Sequence, residues 1–446
     1  MRNLLLPLTA ALLSSTAIAA PSPEPGYDIV EGLTTEIGQR LAGTEQEARA
    51  RAWAVQRLKA LGFANVHVEP FDMPVWIRGE ETAEIVGPFP QKLALTALGN
   101  SGATPDSGIT AEIVGFPSLE ALEAAPSNQV RGKIVFVWHH MTVTQDGSSY
   151  GYFGQIRRAG PALASKKGAA AILIRSIGTD HHRMPHTGVT SWTDGAQPIP
   201  AAALSVPDAE QLERILAHGK PVTLHLTLTP RMIGTHQSGN VIAEIPGRDP
   251  SAGLVLIGGH LDSWDLGTGA IDDAAGLAIT TAAAKRILDG PKPKRTVRLV
   301  WFGAEEPGGF GGAAYAKAHG QEKHAMAAEA DFGGDRVWRF RASLANPKSP
   351  LLADLTNKLA PLGIGPDSGE AHGGTDVGPM VLLGTPVIDL EQDGTRYFDI
   401  HHTADDTLDK IDRAQLAQAI DAWSAMLRTV ADSGDPLAPL PPRTGH

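Results

Sequence analysis

The sequence predicts an α/β fold: a mixed, mostly parallel sheet sandwiched by helices, interrupted by a β-rich insert. Three observations carry this. After Gln237, short apolar runs alternate with helical stripes: LVLIGG at 254–259, DAAGLAITTAAAKRIL at 273–288 and TVRLVWFG at 296–303. Buried strands alternating with helices imply a largely parallel sheet. The last helix opens at Asp412, with Gln415 three residues on, and carries the stripe Leu416, Ile420, Trp423, Leu427 and Val430. That spacing marks a core-facing helix. Between about Gln91 and Thr229 the rhythm is different, with short β-like runs among turns.

In chain order, Met1 to Ala20 reads as a targeting segment. Arg2 gives the charged start, Leu4 to Leu13 the apolar stretch and Ala17-Ile18-Ala19 a small-residue cleavage motif. Cutting after Ala19 makes 1–19 a signal peptide and sends the mature chain to the periplasm or outside the cell. The apolar run is too short and interrupted for a span of roughly 20 residues, so no stable membrane insertion is expected. A helix is expected over Thr44 to Leu61. Thr44 and Glu47 form a capping box, Gly62 is the stop, and Trp53, Val55, Leu58 and Leu61 give the buried face. The insert shows β-like runs at Ile109 to Phe116, Lys133 to Trp138, Ala169 to Ile174 and Pro221 to Leu228, and a helix at Asp208 to Ala217. A further strand is expected at Pro386 to Leu390. The domain reading is therefore a discontinuous catalytic part at 24–94 and 234–434, an insert at 95–233 and a flexible Pro-rich tail at 435–446.

Composition narrows the chemistry. Lys plus Arg total 38 and Asp plus Glu 49, a net charge of −11. This disfavours nucleic acid as a partner and suits cationic ligands. The absence of cysteine excludes disulfides, thiolate metal sites and cysteine nucleophiles. Any transition metal must be held by His, Asp and Glu. No Gly-x-Ser-x-Gly elbow or Walker loop is present.

The candidate ligands fall at the carboxyl ends of strands, where open α/β sheets bind ligands. His260-Leu261-Asp262 follows the first of these strands. The imidazole can meet a metal while Asp262 accepts the other ring N–H. Asp272-Asp273 opens a helix, where a carboxylate can bridge cations or simply cap. Glu305-Glu306 ends the next strand. Neighbours in extended backbone point apart, so one can ligate while the other acts as a base. Glu329-Ala330-Asp331 and His401-His402-Thr403 complete the set. Together these fit a co-catalytic dinuclear metal site with one shared carboxylate.

The runs His260-Leu261-Asp262-Ser263-Trp264-Asp265, Gly269-Ala270-Ile271-Asp272-Asp273, Ala304-Glu305-Glu306 and His402-Thr403-x-x-Asp406-Thr407 resemble the di-zinc aminopeptidase superfamily, nearest to its carboxypeptidase Q branch. Trp76-x-Arg78-Gly79-Glu80, Lys166-Lys167-Gly168-Ala169-Ala170-Ala171 and the His401-His402 doublet carry the same likeness, from about Val30 to Ala431. The resemblance implies a zinc exopeptidase fold with an inserted protease-associated domain, two Zn²⁺ per chain, short peptide substrates and a homodimer. It implies His260 and Asp331 on one zinc, Glu306 and His402 on the other, and Asp272 between them. Glu305 is the implied general base for a zinc-bridging hydroxide. Asp262 is the implied orienter of His260, and Asp406 a supporting residue. His402 is chosen over His401 on its spacing to Thr403 and Asp406. Aminopeptidase action on longer peptides and a single-zinc glutaminyl cyclase chemistry stay open as alternatives.

Four other features are read more plainly. The loop Asp180-His181-His182-Arg183-Met184-Pro185-His186 is expected to be solvated. His139-His140 is expected to be structural. His372-Gly373-Gly374-Thr375-Asp376 and Tyr397 are candidates for the substrate pocket.

Overall fold

A computed structural model describes residues 25–193 and 195–443, so the signal-peptide reading lies outside the described residues. The chain forms two eight-stranded mixed sheets. The first has the order 64–77, 231–245, 296–302, 254–260, 324–329, 387–392, 337–343, 365–366. Its centre is parallel: Leu254–His260 pairs in parallel with Thr296–Phe302 on one side and with His324–Glu329 on the other. Antiparallel strands flank this centre, Arg231–Ile245 on one side and Val337–Ser343 on the other.

Helices cover both faces of this sheet. Ala275–Leu288 and Arg413–Asp432 pack on one face in the main core, with Trp301 and Trp423 fully buried. Phe310–His319 and Gly378–Leu382 lie over the second core, around Phe302 and Tyr315. Ala275–Leu288 is buried almost all round because it is rich in Ala, which lets helix and sheet approach closely. Arg413–Asp432 begins as expected, with Asp412 accepting from the N–H groups of Ala414 and Gln415.

The early helix runs Glu45–Ala60 with Thr44 as its cap. Its buried face is Glu47, Ala50, Arg51, Ala54 and Leu58, whereas Trp53 and Val55 are only half-buried. The reason is a buried ion pair. Glu47 bonds Arg51, takes the Ser238 hydroxyl at 3.0 Å and takes the Gly43 N–H at 3.2 Å, which turns this polar row inward.

The second sheet has the order 91–93, 81–87, 223–228, 109–116, 134–137, 171–175, 201–204, 95–97. It starts at Glu81, upstream of residue 95, because Glu81–Gly87 pairs with Thr223–Leu228. Helix Gln155–Lys166 covers one side and is not evident in the run QIRRAGPALASK, since Gly160 and Pro161 interrupt the pattern. The connection between the sheets is polar and specific. Arg78 forks onto Asp265 at 2.8–3.0 Å, and also reaches Glu81, Thr96 and the Ala97 carbonyl.

Residues 435–443 of the segment expected to be a loose tail are docked. Leu440 N–H donates to Gly384 O at 2.8 Å and Arg443 N–H to Leu382 O at 2.9 Å, while Leu437 is buried. Its prolines limit the freedom it loses on docking. Among the described residues no helix is long and apolar enough to cross a membrane.

Candidate metal centre

Each ligand candidate is delivered by the end of a central strand or the loop after it. His260 is the last residue of its strand and is 1% exposed. Its Nδ1–H donates to the Asp262 main-chain carbonyl at 2.9 Å, which leaves Nε2 free to coordinate. That Nε2 lies 2.9 Å from Asp272 Oδ1 and 3.5 Å from Asp331 Oδ1. On the other side of Asp272, Oδ2 lies 3.2 Å from His402 Nε2, which is itself 3.1 Å from Glu306 Oε2. Asp272 thus stands between a His260–Asp331 half and a Glu306–His402 half. Its neighbour Asp273 takes the capping role, accepting the N–H of His260 and of Gly276, each at 3.0 Å.

Asp262 orients His260 through its carbonyl rather than its carboxylate. The carboxylate is 3.7 Å from Nδ1 and accepts the N–H of Glu305 at 3.0 Å and of Glu306 at 3.2 Å. The sequence could not separate these two uses of one residue. Glu305 and Glu306 are likewise not split by strand alternation. The strand ends at Phe302, Ala304 adopts a left-handed φ of 58°, and both acids line one cavity. His402 has a φ of 61°, so two of the six described non-glycine residues in this costly region, Ala304 and His402, abut the centre.

The two histidines of the doublet are placed differently. His402 touches both Asp272 and Glu306, whereas His401 Nε2 reaches only Asp272, at 3.5 Å. The two rings stack with centroids 3.5 Å apart. His402 Nδ1 lies 3.2 Å from the Thr187 carbonyl, to which it donates when Nε2 faces the ligand set. The histidine-rich loop, expected to be solvated, is part of this support. His186 is 1% exposed, and its ring sits between Asp180 Oδ1 at 2.8 Å and the His401 carbonyl at 2.7 Å. The solvated part of that loop is His181 to Met184. His139 packs on Tyr152 and Phe153, a structural setting.

Two supporting residues complete the frame. Asp406 accepts the N–H groups of Ala270 and Ile271 at 2.8 and 2.7 Å, and burial pushes its carboxyl up to about 7. Arg40, which sequence reasoning missed, is fully buried. Its guanidinium donates to the carbonyls of Leu261, Thr268 and Gly269 at 2.7, 2.6 and 2.9 Å. One cation therefore ties the His260 loop to the Asp272 loop. An arginine 36 residues before the Trp76-x-Arg78 run offers no local signal of that task.

The donor set fits metal ions. Asp272 Oδ2 and Glu306 Oε1 are buried without a hydrogen-bond partner, which is costly for a carboxylate unless a cation meets it. Burial, with Asp331, Glu306 and Asp262 adding repulsion, pushes Glu305 well above the usual carboxylate range. Burial and Asp272 also raise Glu306 and Asp331. Burial opposes the charged form of His260, yet Asp262, Asp272 and Asp331 hold it well above its ordinary value. Five carboxylates against two imidazoles is an excess of negative charge that divalent cations relieve. Nitrogen and oxygen donors without sulfur suit zinc, manganese or cobalt.

The centre opens into a cavity of about 350 Å³ lined by Asp272, Glu305, Glu306, Asp331 and Thr375 from the first sheet's loops. Tyr397 lines it too, its ring tilted against that of His401 with centroids 4.9 Å apart. Tyr150, Arg157 and Arg158 close it from the second sheet's side.

Comparison with known proteins gives the same frame. Residues 240–427 match the model of peptidase family M28. Carboxypeptidase Q of Homo sapiens is 34% identical over 427 residues, covering 95% of this chain and 89% of that protein. The crystal structure of a peptidase M28 precursor from Shewanella amazonensis SB2B superposes with a TM-score of 0.92 at 47% identity, covering 95% and 96% of the two chains. A zinc aminopeptidase from Bacillus subtilis shares the fold, at 19% identity and a TM-score of 0.66 over 94% and 97% of the chains. Similarity at this level, over almost the full length and through every strand end that carries a ligand candidate, means that the chain belongs to peptidase family M28 and is a metallopeptidase.

Proposed function

We propose that this metallopeptidase is an exported di-zinc exopeptidase that cleaves dipeptides or short peptides, with its second sheet acting as an inserted protease-associated domain. The observation that carries this reading is the position of Asp272, within 2.9 Å of His260 and 3.2 Å of His402, at the floor of a cavity that Glu305 also lines. The N-terminal targeting segment supports export.

In this reading His260 and Asp331 hold one zinc, Glu306 and His402 the other, and Asp272 both. Bound zinc ions polarise a carbonyl and acidify a water molecule. Glu305 accepts the proton of the attacking water and passes it to the departing amine nitrogen as the C–N bond breaks. The Asp262 carboxylate fixes the Glu305 and Glu306 amides together, so base and ligand keep their spacing. Asp406 and Arg40 hold the Asp272 loop against the His260 loop.

The test is metal analysis of the purified mature chain together with a peptide panel. Two zincs per chain and hydrolysis of a free dipeptide are expected, with chelation abolishing turnover and lowering the melting temperature. One zinc per chain with cyclisation of an N-terminal glutamine would instead favour the cyclase chemistry. Indifference to C-terminal amidation, with full sensitivity to N-blocking, would make it an aminopeptidase.

Substitution separates the two halves of the centre. His402→Ala is expected to bring the zinc content from two towards one per chain, measured by native mass spectrometry. Retention of both zincs would remove His402 from the ligand set.

A further inference from the structure

We propose that Arg158 binds the free α-carboxylate of the peptide substrate and so measures the distance from the chain end to the scissile bond. The inference rests on the exopeptidase reading above and adds to it the group that would make the enzyme read a C-terminus. Arg158 lies on helix Gln155–Lys166 of the second sheet's layer, while its side chain lines the cavity that holds Asp272, Glu305 and Glu306. It is half-buried, and no carboxylate pairs with it among the described residues. Among the described residues its side chain donates one hydrogen bond, from Nη2 to the Gly151 carbonyl at 3.0 Å. A guanidinium has five donors, so most of this fork stays available.

Three further features mark a built position. Arg157 and Arg158 both stand in the opening turns of a helix, where the macrodipole disfavours cations. Placing two adjacent cations there is a local cost that a bound anion offsets. Arg157 is committed elsewhere: it is buried, donates to the Thr187 carbonyl at 3.2 Å and lies against His402. That leaves it as a source of positive potential behind Arg158. Space for the Arg158 head comes from Gly154, where a methyl group would sit 2.7 Å from Nη1. The Tyr150 ring, 6.0 Å from the guanidinium carbon, forms the apolar wall beside it.

Carboxylate recognition by arginine is planar and bidentate, with charge-assisted bonds of about twice the strength of neutral ones. A peptide bound at both places has its carbonyl at the metal centre and its carboxylate on the insert. This arrangement selects short peptides with a free C-terminus over amidated or internal sequence.

The experiment compares alanyl-leucine with its C-terminal amide. Wild type is expected to prefer the free dipeptide in kcat/KM by about tenfold or more. Arg158→Gln should collapse that ratio, chiefly through KM, and Arg158→Lys should restore part of it. Calorimetric binding of both peptides to zinc-loaded Glu305→Gln, with and without Arg158→Gln, reads the contact without turnover. A ratio that survives Arg158→Gln, or a wild type without preference for the free carboxylate, overturns the proposal. Arg158-dependent carboxylate binding in a protein that hydrolyses no peptide would sink the peptidase mechanism and keep the anion site.

Discussion

Glu305→Gln is expected to lower kcat by about 10²–10⁴-fold while zinc content and melting temperature stay close to wild type. The residue lines the cavity beside Glu306 and Asp331, and its amide is fixed by Asp262 at 3.0 Å. Glutamine keeps the shape and that main-chain bond, but it cannot take a proton. Removing the charge also eases the repulsion from Asp331 and Glu306 that raises the Glu305 carboxyl, so folding should not suffer. Steady-state kinetics with metal analysis on one sample checks this. Wild-type turnover in the variant would remove Glu305 from the base role. Loss of zinc in the variant would make it a ligand instead.

Arg40→Met is expected to cost about 3–5 kcal/mol of stability and to weaken zinc binding by roughly 10–100-fold. Methionine fills much of the volume but leaves the carbonyls of Leu261, Thr268 and Gly269 without their donor in a dry interior. Arg40→Lys should recover only part of the loss, because a single ammonium cannot reproduce the planar fork that spans two loops. Denaturant unfolding with and without bound zinc, and competition for zinc with a chelator, read the two effects. A variant as stable as wild type and with unchanged zinc affinity would show that the loops hold their own arrangement.

Much of the fold was legible because hydrophobic period and cap chemistry are local. The runs at 254–259 and 296–303 became central parallel strands, and Asp412 caps the final helix. Three elements resisted for physical reasons. Helix Gln155–Lys166 carries Gly160 and Pro161 inside it and two arginines near its start, which weakens the local helical signal. Strand Val337–Ser343 alternates Trp338, Arg339, Phe340 and Arg341, a half-exposed edge pattern whose arginines pair with Asp146, Asp367 and Glu391. The face of Glu45–Ala60 was read from its largest apolar residues, but a buried Glu47–Arg51 pair turned the helix instead.

The candidate site divides in the same way. Which residues can donate to a metal was readable from the chain alone, since without cysteine only His, Asp and Glu remain, and their places after apolar runs put them at strand ends. What each of them does was decided by folding. The left-handed turn at Ala304 aims Glu305 and Glu306 into one cavity, the Asp262 carboxylate serves their amides, and the second sheet's layer brings Thr187, His186 and Arg157 against the His401–His402 doublet and Arg158 to the cavity wall. Residue chemistry is a property of one position, whereas a cleft is made by segments more than two hundred residues apart, whose meeting only the packed chain defines.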